Sequence, residues 1–222
     1  MEIQNLKRSP IEIDEQLVRA GVYFLPWIGS EYWMGYRGSG HRLLILGEAH
    51  YRFDGPEQIL EPTLTRSLVE GVILREKRFK NFFYYIEQTI QFSDVKTTKG
   101  SDGNEFWNSV TYYNFIQSPV GEGPRHRPKR KQWLDGVRPY HGVLNNLRPD
   151  RVWILGKGLW NWTPGDESLK RGAVLQGTRT DNGHISWCMA TDHPSSFGYS
   201  WKKIHAEVAP FIFDRTLERL ST

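Results

Sequence analysis

Short apolar runs alternate along this chain with longer stretches in which apolar residues return every three or four positions. Leu43-Leu44-Ile45-Leu46 is such a run, closed by Gly47 and followed by the polar Glu48. It has the length and boundary of a strand covered on both faces, which places a first strand at 42–47. Trp107 to Phe115 is rich in aromatic and β-branched residues and predicts a second strand ending near Asn114. Arg151 to Gly156 and Ile185 to Thr191 predict a third and a fourth.

Between these runs the period changes. Leu60, Leu64, Leu68 and Val72, then Phe82, Phe83, Ile86 and Ile90, fall at helical spacing, giving two helices broken near Gly71 or Arg78. Val137, Tyr140, Leu144 and Leu147 mark a helix over 132–147, and Ile204, Val208, Phe211, Ile212 and Leu217 one over 201–220, kinked at Pro210. A short helix is predicted over 13–20 and another beginning at Lys157; residues 95–104 and 121–131 read as loops, and 164–184 as loop with a hairpin piece. Strands alternating with helices predict βαβ units, hence an α/β fold, a three-layer α/β/α sandwich with a central four-stranded parallel sheet. The 222 residues are read as a single domain, with 1–40 as an N-terminal extension packed on the core.

Composition narrows the class. One cysteine, Cys188, leaves no internal disulfide framework and no site built on several thiolates, so a reducing, cytoplasmic compartment is expected. No apolar run approaches the roughly 20 residues that span a bilayer, and the N-terminus shows no signal-peptide pattern, so a soluble protein without a membrane partner is expected. A net charge of +4 permits polyanion contact without requiring it. Its distribution says more, because five of the seven residues from Arg125 to Lys131 are basic. Arg125, Arg127 and Lys129 are therefore candidates for phosphate contact, although such charge runs also occur as plain solvated surface.

Chemistry-bearing residues gather at the strand ends. Gly47-Glu48-Ala49-His50-Tyr51 follows the first, Asn114 the second, Gly156 the third, and His193-Pro194-Ser195-Ser196 the fourth. The carboxyl ends of parallel strands are where α/β proteins bind ligands. Asn114 offers an acceptor and donors to a base edge, or is a turn-forming asparagine. Glu48 orients a water or a ligand, or is a solvated carboxylate near a helix start. His193 is a hydrogen-bonding imidazole, or a histidine that bridges loops.

This ordered set resembles the uracil-DNA glycosylase superfamily over roughly residues 41 to 205. There a motif such as GQDPYH or GEAPG follows strand one, an asparagine ends strand two and HPS ends strand four. Leu147 to Gly156 is also similar to an LxPxxVVxLG segment of the bacterial and archaeal branches. The resemblance implies a monofunctional DNA glycosylase that removes uracil or a related deaminated base, working as a monomer on single- or double-stranded DNA without a cofactor or metal. By the same resemblance His193 donates to uracil O2, and Asn114, Gly47 and Ala49 bound the base. Tyr51 excludes a C5 methyl group, Phe53 stacks on the flipped base, and Ser195, Ser196 and Phe197 belong to a loop that wedges into DNA.

The chain departs from the family at two places. Ala49 stands where GQDPYH carries the water-activating aspartate, as it does in the GEAPG branch, whose four cluster-binding cysteines are missing here; His50 stands where both motifs carry proline. Glu48 or backbone would then position the water, and His50 is itself a candidate for acid or base chemistry. The alternative is a catalytically weak or inactive member that binds nucleic acid, a nucleobase or a protein partner.

Overall fold

The structure, a computed structural model, describes residues 11–37, 39–52, 55, 57–73, 80–92, 102–123 and 126–217. Six strands form one mixed sheet: β1 (Trp27–Ile28), β2 (Leu43–Gly47), β3 (Val110–Asn114), β4 (Arg151–Leu155), β5 (Leu175–Arg179) and β6 (Ile185–Thr191), in the order β1-β3-β2-β4-β6-β5. β3, β2, β4 and β6 run parallel, whereas β1 is antiparallel to β3 and β5 to β6. The sheet is therefore mixed and two strands wider than the four parallel strands expected. Both additions are edge strands, where antiparallel pairing needs no covered crossover.

Seven helices are present among the described residues: α1 (Ile11–Arg19), α2 (Leu64–Ile73), α3 (Lys80–Gln91), α4 (Asp102–Asn108), α5 (Arg130–Leu147), α6 (Lys157–Trp160) and α7 (Trp201–Phe213). Trp107 and Asn108 thus belong to α4 and not to the strand, and residues 102–104 are helical, not loop. The helix starting at Lys157 is a single turn, and the last helix stops at Phe213, with Pro210 inside it.

Strand side chains alternate between two apolar clusters, as the pleat requires. Leu43, Ile45, Tyr112, Trp153 and Trp187 pack with α2, α3, α4 and α7 on one face. Leu44, Leu46, Tyr113, Val152, Ile154 and Cys188 pack with α1 and α5 on the other. The early part of the chain is tied into this core: Leu17 and Phe24 are fully buried, and Arg66 of α2 donates to both carboxylate oxygens of Asp14 in α1, at 2.6 and 2.8 Å.

The far end of the sheet is closed by a buried arginine. Arg151, at the start of β4, is 1 % exposed and donates to Phe211 O and Asp150 O, each at 3.0 Å, and to Asp214 O. His41 Nδ1 lies 2.7 Å from Ile212 O. The last carbonyls of α7, which have no partner within the helix, are met in this way by side chains of the strand side.

This order sets the place of the site. From β2 the chain lays β3 on one side and β4 on the other, so the strand order reverses around β2. The crevice at such a reversal opens at the carboxyl ends of the strands, where Gly47, Asn114, Gly156 and Thr191 stand together.

Candidate active site

The segment leaving β2 is zipped to the segment leaving β3 by main-chain bonds. Phe115 N–H donates to Gly47 O, Ile116 to Glu48 O, Val120 to His50 O, and Arg52 to Gly121 O, at 2.9 to 3.0 Å. Further on, Gln132 of α5 donates to Ser118 Oγ at 2.9 Å and to Pro119 O at 3.1 Å, and accepts from Lys129 N–H at 2.9 Å. These bonds bring the basic loop beside Glu48. Arg127 Nη1 stands 3.8 Å from Glu48 Oε1.

Four buried polar side chains form a chain at the end of β2 and β3. Tyr112 donates from its hydroxyl to Asn114 Oδ1 at 3.0 Å. Asn114 Nδ2 lies against the His50 ring, 3.1 Å from Nε2 and 3.3 Å from Nδ1. His50 Nε2 is 2.9 Å from Thr65 Oγ1 on α2. None of the four is more than 4 % exposed. Gly47 makes the arrangement possible, since a Cβ there would stand 2.2 Å from Asn114 Oδ1 and 2.4 Å from the Tyr112 hydroxyl.

The consequence for two expected site residues is direct. Burial lowers the His50 imidazole to about 4, so the ring is neutral at pH 7 and ill-suited to proton transfer there. Its role is to hold Asn114, which in turn presents no free amide edge to solvent. A base could use Asn114 only by displacing His50.

His193 stands differently. It leaves the end of β6, with the Phe82 ring of α3 tilted by 32° against it at a centroid distance of 5.4 Å. Ser195 N–H donates to His193 Nδ1 at 3.1 Å. Burial, and then the Arg127 guanidinium, push His193 down to about 4, so it is neutral at pH 7. A neutral imidazole with Nδ1 accepting carries its proton on Nε2, which leaves Nε2–H as a fixed donor. Gly156, at the end of β4, has φ +117°, a conformation that side chains avoid, and a Cβ there would touch His193 Cβ at 3.4 Å.

Glu48 is largely buried, with a side chain 13 % exposed, and burial holds its carboxyl above the usual carboxylate range against the opposing pull of Arg127. Its Oε1 has no hydrogen-bond partner. Tyr51 and Ala49 are half-buried and pack on the α5 side of the sheet; burial, then the charge of Glu48, raise the Tyr51 hydroxyl. Ser195 and Ser196 are exposed, and Phe197 is fully exposed at the tip of the turn before α7. Lys129 is exposed at the start of α5. Phe53 and Arg125 lie outside the described residues.

Of the expected site, the structure therefore brings Gly47, Asn114 and His50 into one buried network, and relates Glu48, Tyr51 and His193 through the charge of Arg127. Sequence reasoning missed Phe82, which reads as one more apolar position in the α3 stripe, and Tyr112 and Thr65, which hold the network. Period-two spacing could have flagged Tyr112, since it lies on the same strand face as Asn114.

A cleft of about 460 Å³ opens beside this edge, lined among others by Tyr23, Arg52, Gln58, Leu60, Gln117 and Pro119. Neither His193 nor Glu48 lines it. Among the described residues no helix is long and apolar enough to cross a membrane, and no group of three His, Cys, Asp or Glu side chains is placed to hold a metal ion. Comparison with models of known protein families gives no match, and a search of curated proteins gives none.

Proposed function

We propose that this chain is a DNA glycosylase that hydrolyses the N-glycosidic bond of uracil or a related deaminated base and leaves an abasic site. The observation that carries the reading is His193: a neutral imidazole, its tautomer set by Ser195 N–H, standing at the carboxyl end of the sheet. The motif order along β2, β3 and β6, on four parallel strands flanked by helices, supports it through the resemblance to the uracil-DNA glycosylase superfamily.

The chemistry asks for such a donor. As the C1′–N bond breaks, its electron pair leaves with the base, and the sugar takes on oxocarbenium character. A preorganised N–H aimed at the oxygen where that charge collects stabilises the transition state more than the ground state. His193 Nε2–H fills this role without giving up its proton. Water then bonds to C1′ and loses a proton to solvent, with Glu48 as the nearby carboxylate that orients it. Arg127 and Lys129 face the DNA, and the exposed Phe197 suits insertion between base steps to hold the base out of the stack.

A second reading is favoured by Asn114. With its amide engaged by Tyr112 and His50, a pyrimidine edge finds no free partner there, which suits a weak or inactive member that binds nucleic acid or a nucleobase. Oligonucleotides carrying uracil, hypoxanthine or xanthine, single- and double-stranded, separate the two. The first reading expects alkali-labile abasic sites with at least one base. Binding without abasic sites on all three supports the second reading and overturns the first.

A further inference from the structure

α3 carries Phe82 against His193, and Phe92 follows its last residue, about 15 Å further along the helix. Phe92 has φ +51°, in the left-handed region that suits glycine and that a bulky side chain occupies at a cost in stability. It is nevertheless 57 % exposed, so burial does not account for its place. One face of the ring is taken by His205, at 4.4 Å between centroids and 34°, and Trp201 meets it near edge-on, at 5.7 Å and 70°. These supports are anchored on α3: His205 Nδ1 donates to Thr89 O at 2.7 Å, and the Tyr199 hydroxyl lies 2.7 Å from Thr89 Oγ1. The remaining face of Phe92 is turned to solvent on a rigid mount. The charge beside it has one sign. Lys202 and Lys203 are exposed in the first turn of α7, which holds no acidic residue, and Lys202 Nζ stands 5.4 Å over the Trp201 ring. The turn that leads from His193 to this surface carries the fully exposed Phe197. A flat apolar face flanked by ammonium groups fits a polyanion built of planar rings.

We propose that Phe92 is a stacking platform for an unpaired base of the DNA strand that enters the His193 site, with Lys202 and Lys203 on the phosphates beside that base. This rests on the base-release reading above and adds the form of the DNA, a single strand. In a duplex each base has both faces covered by its neighbours, so only an unpaired strand offers a face to the ring. Stacking of this kind reads no sequence, because every base has such a face.

Fluorescence anisotropy with three uracil-free probes tests it: a short oligothymidylate strand, the same backbone built of abasic residues, and a duplex of equal length. Wild type is expected to bind the thymidine strand more tightly than the other two. Phe92→Asn should lose about tenfold on the thymidine strand and little on the abasic strand or the duplex, the usual effect of removing one base–aromatic stack. Asparagine tolerates the left-handed backbone, so its urea midpoint should stay near that of wild type. Phe92→Trp, which keeps a ring, should bind as wild type does. Lys202→Gln with Lys203→Gln should weaken the thymidine and abasic strands alike and reduce the salt slope by about 1.4, the loss of two phosphate contacts on a single strand. Equal affinity of wild type for thymidine and abasic strands, equal losses on both in Phe92→Asn, or tighter binding of the duplex overturns the proposal. Base release is judged separately. A wild type that shows this binding pattern and releases no base loses the base-release reading and keeps the platform. One that releases uracil while Phe92→Asn binds all three probes unchanged keeps the reading and loses the platform.

Discussion

His193→Ala is expected to slow base release by about 10²- to 10³-fold, the usual cost of removing one preorganised donor from a developing oxyanion. Ser195 N–H occupies Nδ1, so the only proton of the neutral ring is on Nε2 and cannot be redirected. His193→Asn, which keeps a donor of shorter reach, should recover part of the rate. Binding to uncleaved DNA should change little in either variant, because the donor acts where charge grows and not where the duplex is gripped. Single-turnover rates at saturating enzyme check this, and an alanine variant as fast as wild type would remove His193 from the chemistry.

Arg151→Ala is expected to destabilise the fold by about 3 to 5 kcal/mol, read as a lower urea midpoint. The guanidinium is buried and meets Phe211 O, Asp150 O and Asp214 O, so its removal takes a donor from three main-chain carbonyls, of which Asp150 O keeps Trp187 N–H, and opens a cavity beneath the end of α7. Arg151→Lys should recover little, because an ammonium cannot reach several carbonyls in one plane. A loss below about 1 kcal/mol would show that α7 closes without it. The residue lies at the opposite end of β4 from Gly156, so base release by the folded variant should remain near that of wild type.

The difference between these two residues bears on what a sequence can reveal. The four apolar runs announced β2, β3, β4 and β6 because strands buried on both faces must be apolar throughout, and α2, α3 and α5 followed from one-sided spacing. β1 has only Trp27 and Ile28, too short for any period, and β5 is half polar because it is an edge. Trp107 and Asn108 of α4 read as strand because Trp107 opens an aromatic and β-branched run, yet Trp107 packs as the end of a helix against Phe83. The order of Glu48, Asn114 and His193 was visible because each follows an apolar run. What ties them was not. The Thr65, His50, Asn114 and Tyr112 chain joins positions up to 64 residues apart through side chains that have no pattern of their own. Arg151 likewise read as the first residue of a strand, and only the return of α7 beneath the sheet made it the partner of that helix's last carbonyls.

In the proposed reaction a neutral imidazole acts as the donor, and the pH dependence of base release tests that role most directly. His193 is lowered from its ordinary value near 6.5 to about 4, so above pH 5 it is uncharged and its Nε2–H is already in place. Protonation begins only as pH falls towards 4; it fills Nδ1 and breaks the bond from Ser195 N–H. Single-turnover release followed from pH 4 to pH 8 should therefore show no break near 6.5 that depends on His193. A rate that collapses as pH rises through 6.5, as an imidazolium acid would give, or no release of any base across the range, would contradict it.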